Sequence, residues 1–249
     1  MKKPSDNQPE HRIMIATYCN HRPSAGFHDS MVRLASSYKE FLPDVHIDIV
    51  RLGDATLVWE ARNRLAHMAV AQNYDFLLFI DSDIVFTPHD VAALYLGSAT
   101  PVHPHPVLRS GVYCDRRYWT PIGRVLNRDE IGKIGELKLL FDWMSKKKMK
   151  PVAGLPMGFT LIETKILTKM GPPWFFEPYG EGTLNHIGED YYFCDKAREI
   201  GIVPILDCSI LVQHMGENVI DPKQLLIQFE AYGDDFVSKL GQKIENPGL

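Results

Sequence analysis

Two carboxylates one residue apart close an apolar run: positions 76–86 read FLLFIDSDIVF, and Asp81 and Asp83 follow five consecutive apolar residues. Like charges that close raise each other's pKa unless something positive lies nearby. The pair therefore fits a metal ion, a phosphorylatable nucleophile, or a turn in which one Asp folds the chain and the other caps the helix at Thr87. In an extended segment, side chains two apart point the same way. Two carboxylates on one side suit a hard divalent cation that keeps positions open for phosphate oxygens, Mg2+ or Mn2+ rather than zinc. A second acidic pair, Glu189-Asp190, opens an expected helix, where the dipole favours negative side chains whatever else they do. His214, after SILVQ, is either a metal ligand or a satisfied strand-end histidine. His103 and His105 in HPHP form a further metal-ligand pair, although a proline-rich loop explains them as well.

The elements that would position these residues follow from periodicity. IMIATY (13–18) reads as a first strand, and Met31, Leu34, Ala35, Tyr38 and Leu42 recur at helical spacing before Pro43. VHIDIVRL alternates as a strand does. Leu57, Ala61, Leu65, Met68 and Ala69 mark an amphipathic helix that delivers the chain into FLLFI. Strand, helix, strand, helix, strand predicts a parallel sheet with right-handed crossovers, and the carboxyl ends of such strands are where ligands bind. Beyond the acidic pair, Thr87-Pro88 opens a helix to about Leu96, and VLRSGVY and GFTLIE read as strands, with Thr164 capping KILTKM. GEDYYFCDKAREIG is a helix ended by Gly201. VPILD and ILVQH are apolar runs, and a last amphipathic helix covers 222–240.

The chain of 249 residues is 45% hydrophobic, enough for a large core, and its net charge of −4 argues against a uniformly basic nucleic-acid binder. The start, MKKPSDNQPEH, is polar and lacks the apolar stretch of a signal peptide. No segment approaches the roughly 18 apolar residues of a membrane span. Cys19, Cys114, Cys194 and Cys208 form no CxxC pair and read as reduced thiols of a cytoplasmic protein, in a host's cytoplasm if the chain is viral.

Taken in order, ATY at the first strand end, ARNRL before LLFIDSD, GFTLIE, EDYYFC and a later His214 resemble the GT-A class of nucleotide-sugar glycosyltransferases, most closely its compact, family-2-like viral and bacterial members. The resemblance runs from about Ile13 to Met215. It implies an α/β fold, a single Rossmann-like GT-A domain with a mostly parallel sheet flanked by helices. Residues 1–12 would be a flexible tail and 13–249 the domain, with 13–113 the nucleotide- and metal-binding half and 114–249 the acceptor-side half. It further implies a nucleoside diphosphate sugar donor, a UDP-sugar first among them, with Mn2+ or Mg2+. Asp81, Asp83 and His214 become the metal set, Asp83 holding the ion and Asp81 meeting the donor ribose or the ion's waters. Thr17 and Tyr18 would receive the nucleoside, the Tyr18 ring offering a stacking face. Arg62 and Asn63 would add polar contacts, with Arg62 able to fork onto a phosphate or a base carbonyl or to pair with a neighbouring acid. Gly158 would let the backbone approach the donor sugar. Asp190 corresponds to the base that deprotonates the acceptor hydroxyl in inverting members, and Glu189 would orient the acceptor.

The DSDIVF stretch also fits the nucleophile pattern of haloacid dehalogenase phosphatases, with Asp234-Asp235 resembling their metal pair. In that family, however, the nucleophile ends the first strand, and here two strands and two helices precede it. A non-catalytic sugar-nucleotide or glycan-binding module on the same fold is the other rival. Residues 109–150 hold eleven Lys and Arg against five Asp and Glu, interleaved with Tyr118 and Trp119. This predicts an anionic acceptor, such as a hydroxymethylated base of viral DNA or a phosphate-bearing glycan or lipid, unless the segment is ordinary basic surface.

Overall fold

The computed structural model of the chain describes residues 11–19, 22–53, 57–97, 106–117, 119–179, 187–216 and 219–245. Most of the expected tail, His103, His105 and Tyr118 lie outside them. The described chain runs β1 (His11–Cys19), α1 (Ala25–Phe41), β2 (Val45–Gly53), α2 (Val58–Ala71), β3 (Phe76–Ile80), β4 (Ile84–Val85), α3 (Pro88–Leu96), β5 (Leu108–Val112), α4 (Arg128–Ser145), β6 (Met149–Pro151), β7 (Phe159–Glu163), α5 (Thr164–Met170), α6 (Glu189–Glu199), β8 (Ile205–Leu211), β9 (Gln213–Met215), β10 (Val219–Ile220) and α7 (Pro222–Glu245).

Seven strands form one sheet in the order β2-β1-β3-β7-β5-β8-β6. Strands β2, β1 and β3 are parallel to one another, as are β5 and β8, while β7 between β3 and β5 and β6 at the edge run antiparallel. Both faces of the sheet are covered, which is why β3 is apolar throughout. Alternate side chains enter opposite layers: Met14, Ala16, Leu77 and Phe79 join one buried cluster, and Ile13, Ile15, Leu78 and Ile80 the other. The boundaries expected from periodicity hold to within a few residues, with α1 starting earlier, at the Ser24 cap. Thr164 is the first residue of α5 and not its cap; its hydroxyl donates to the backbone carbonyl of Tyr74. Two long helices bend at left-handed glycines, α4 at Gly132 and α7 at Gly233.

The antiparallel β7 brings its start to the end of β3. Ile80 pairs with Phe159, and the Asp81 N–H donates to the Gly158 carbonyl at 2.9 Å. A second, three-stranded sheet, β10-β9-β4, folds over the same end, with Ile84 opposite His214. Two segments about 130 positions apart in the chain thereby meet beside Asp83.

Candidate active site

Asp81 leaves the end of β3 and turns to α2. Arg62, 3% exposed, lies beneath it: Nη2 approaches both Asp81 carboxylate oxygens at 3.2 Å, and Nη1 donates to Glu189 Oε1 at 2.7 Å. Burial works against the charged guanidinium, but the two carboxylates outweigh it and hold Arg62 above its usual pKa. Asp81 is raised by burial and by the charges of Asp83 and Glu189, with Arg62 opposing them. Arg62, expected to reach a donor phosphate or base, instead ties the β3 end to the start of α6. Asp81, expected to share the metal, is engaged by Arg62.

Asp83 is answered separately. His214 Nε2 lies 3.4 Å from its Oδ2, and the exposed Arg116 donates to the same oxygen at 3.0 Å. Burial pushes the Asp83 carboxyl up, yet the His214 hydrogen bond and the His214 and Arg116 charges bring it below the usual range. The small sheet sets this pairing, because the Met215 N–H donates to the Asp83 carbonyl at 2.7 Å. His214 Nδ1 lies 2.7 Å from the Cys114 carbonyl. A carbonyl can only accept, so Nδ1 carries a proton, and it is the Nε2 side of the ring that faces Asp83. The ring packs edge-on against Tyr113 at 5.2 Å. The turn reading of the acidic pair fails on one point: α3 is capped by Thr87 and Asp90, which form a capping box of their own.

These donors fit a hard divalent ion. A carboxylate oxygen and an imidazole nitrogen 3.4 Å apart are close enough for one ion to meet both with bonds of roughly 2.1 Å. No group of three or more His, Cys, Asp or Glu able to hold a metal occurs among the described residues. An ion held by Asp83 and His214 alone would keep most positions for ligand oxygens and water.

Gly158 and Tyr113 complete this corner. A Cβ on Gly158 would meet the Tyr113 hydroxyl at 2.5 Å and an Asp81 carboxylate oxygen at 3.0 Å, and the Gly158 N–H donates to that hydroxyl at 2.8 Å. Burial lifts the Tyr113 phenol well above its usual pKa, so it stays neutral. Thr17, 3% exposed at the end of β1, has a hydroxyl with no hydrogen-bond partner. The Tyr18 ring lies 5.8 Å from the Arg62 guanidinium. Asn63 departs from expectation. Its amide donates to the Trp59 and Phe175 carbonyls and its oxygen accepts from the Trp174 and Phe175 N–H groups, so it clamps a loop and keeps no donor for a ligand.

Glu189 and Asp190 open α6 with different surroundings. Glu189 is held by Arg62, whereas Asp190 forms no ion pair among the described residues and accepts only from the Tyr191 N–H at 2.8 Å. Burial, then the Glu189 charge, pushes the Asp190 carboxyl up to about 6.

Sequence reasoning missed Tyr113, Cys114 and Arg116 as site residues. A strand-end position after VLRSGV was the one available signal, since Cys114 acts through its backbone. The basic segment is largely engaged elsewhere: Lys146 and Lys148 pair with Asp142, Lys138 with Asp234, and Arg128 with Glu136. The Asp234 of the supposed phosphatase pair is thus a surface partner of Lys138, 73% exposed. A groove of about 800 Å3 beside α2, lined by Leu52, His67, Met68 and Trp174, includes none of Asp81, Asp83, Asp190 or His214.

No protein-family model and no curated protein sequence matches the chain. Among solved structures it is similar to A197 from STIV, at 17% identity and a TM-score of 0.52, over 86% of this chain and 91% of that one. Weaker likenesses include GalNAc-T7 with UDP, GalNAc and Mn2+, at 10% identity and a TM-score of 0.49, where the alignment covers 85% of this chain and 45% of that one. Another is glucosyl-3-phosphoglycerate synthase from Mycobacterium tuberculosis with Mn2+, UDP-glucose and phosphoglyceric acid, at 14% identity and a TM-score of 0.45, over 93% of this chain and 80% of that one. The architecture is the mixed α/β, mostly parallel one that the GT-A resemblance implies.

Proposed function

We propose that the chain is a glycosyltransferase that moves a sugar, hexosyl or pentosyl, from a nucleoside diphosphate sugar to an acceptor hydroxyl with inversion. UDP is the favoured nucleotide and Mn2+ or Mg2+ the cation. The observation that carries this reading is the pairing of Asp83 with His214 at 3.4 Å, on the same end of the sheet as Asp190, a buried carboxyl pushed up to about 6. Residues 13–113 supply Thr17, Tyr18, Asp81 and Asp83 to the donor side. Residues 114–249 supply Gly158, Glu189, Asp190 and His214.

Asp83 and His214 would hold the cation, whose chemistry is to neutralise charge on the departing diphosphate. Arg62 keeps Asp81 and Glu189 in place, its positive charge lying between them. Gly158 lets the backbone approach Asp81 and the Tyr113 hydroxyl closely. Asp190 accepts the acceptor hydroxyl's proton as the new C–O bond forms on the face opposite the leaving diphosphate, which inverts the anomeric centre. A binding module would have no use for a buried Asp190 whose carboxyl is pushed up to about 6. The anionic acceptors considered above remain candidates for this hydroxyl.

Thermal unfolding with UDP tests the reading. At 100 times its Kd the nucleotide should add about 2.7 kcal/mol of apparent stability, and the larger part of that gain should require Mn2+ or Mg2+. Asp83→Ala should abolish the metal-dependent part. An undiminished Mn2+-dependent shift in that variant would remove Asp83 from the site.

A further inference from the structure

A cavity of about 290 Å3 has a lining that includes Asp115, Arg124, Arg128, Lys133, Glu136 and Tyr191. None of Asp81, Asp83, Asp190 and His214 lines it, but neighbours of the site in the chain do. Asp115 stands between Cys114, whose carbonyl orients His214, and Arg116, which reaches Asp83. Tyr191, also in the lining, is the residue after Asp190. An acceptor molecule must reach both corners, and the cavity is lined by a chain neighbour of residues in each.

Its charges are unequally answered. Glu136 is buried, accepts from the Val125 N–H at 3.1 Å and pairs with Arg128 at 3.2 Å; Asp115 accepts from the Arg117 N–H at 2.8 Å. Arg124 and Lys133 are half-buried and form no ion pair with any described carboxylate. The Arg124 guanidinium lies 5.9 Å from the centre of the Tyr191 ring. Cations withdrawn from water without a counter-ion are costly, and two on one small cavity point to an anion that arrives with the ligand. The kink at Gly132 (φ 69°, ψ 177°) makes Lys133, which lines the cavity, the start of the long arm of α4, where a helix carries its positive dipole end.

We propose that this cavity binds the acceptor, and that the acceptor is a small phosphate monoester held by Arg124, Arg128 and Lys133 with its hydroxyl towards Asp190. The inference rests on the glycosyl-transfer reading and narrows its acceptor class. A monoester carries about 1.5 to 2 negative charges near neutral pH and presents three terminal oxygens, which suits forked guanidinium donors. The single charge of a nucleic-acid diester is embedded in a strand, for which a cavity of about 290 Å3 is too small.

Calorimetric titration of the full chain with glycerol 3-phosphate and, separately, glycerol tests the assignment, alongside UDP with Mn2+ and a short DNA duplex. Glycerol 3-phosphate should bind saturably and glycerol should not. The double variant R124Q/K133Q should weaken the phosphate ester by at least about tenfold, since charge-assisted hydrogen bonds are lost. UDP–Mn2+ affinity should be unchanged in that variant, which also checks that it is folded. Absence of saturable binding by the wild type, or equal affinity in the variant, overturns the proposal. DNA binding that depends on Arg124 and Lys133 without glycerol 3-phosphate binding overturns the small-ester assignment. Glycerol 3-phosphate binding without any UDP–Mn2+ binding supports the anion pocket and overturns the glycosyl-transfer reading, so the two failures are distinct.

Discussion

Asp190 keeps its proton to about pH 6 because burial, and then the neighbouring Glu189 charge, opposes ionisation. A base must be ionised to act, so kcat/KM should rise through about pH 6 and level off above it, and the acid limb should vanish from the residual activity of Asp190→Asn. That variant should retain UDP–Mn2+ affinity and lose about 10² to 10⁴-fold in turnover. Joint loss of binding and turnover would mark Asp190 as a structural group. The same shift has a stability sign. A carboxyl whose folded pKa exceeds its unfolded one favours the folded state while protonated, so this contribution is complete below the ordinary carboxyl pKa and is lost as pH climbs to about 6. Arg62 has the contrary position, charged and buried between Asp81 and Glu189. The sequence showed the types and order of these residues; that Arg62 would turn to two protein carboxylates was open, because the partner at Glu189 lies 127 positions away.

At the scale of elements, the start of β7 and the end of β5 fit only as glycine against tyrosine. Gly158→Ala should destabilise the chain by about 1 to 3 kcal/mol in urea unfolding, the usual cost of overpacking. Adding Tyr113→Phe should recover part of the loss by removing the hydroxyl that the new Cβ meets at 2.5 Å. A neutral Gly158→Ala would show that β7 can shift away from Asp81. The cap of α3 belongs to a different class. Thr87→Ala removes an N-cap bond worth about 1 kcal/mol and should leave UDP–Mn2+ binding intact, since Thr87 and Asp90 bond to each other and to nothing in the site. A lost metal-dependent shift in Thr87→Ala would tie the cap to the placement of Asp83.

Across the whole molecule, the sheet is locked by one buried ion pair. Arg109 on β5 meets Asp207 on β8, and Arg109 also donates to the Leu94 carbonyl near the end of α3. Asp207 is fully buried and also accepts from the Ser209 N–H and hydroxyl. Asp207→Ala strands a buried guanidinium and should cost about 3 to 5 kcal/mol, whereas replacing both partners, as R109M/D207L, should cost less than the single change. Urea unfolding of the two variants decides this, and a double variant worse than the single would mean that the pair contributes net stability.

Local physics was legible without coordinates. A period of two with both faces apolar marked β3, a period near 3.6 marked α2 and α6, Thr87-Pro88 marked the start of α3, and the exit of an apolar strand marked where Asp81 and Asp83 would stand. These depend on residues within a few positions of one another. What needed the tertiary structure depends on neighbours distant in sequence. Strand β7 enters antiparallel between β3 and β5, which brings Gly158 to Asp81. The small sheet carries His214 to Asp83, with a Cys114 carbonyl that no side-chain pattern announces. Periodicity says which face of an element is buried. Only packing decides what lies against it, and therefore that Asp81 rests on an arginine while Asp83 stands beside a histidine.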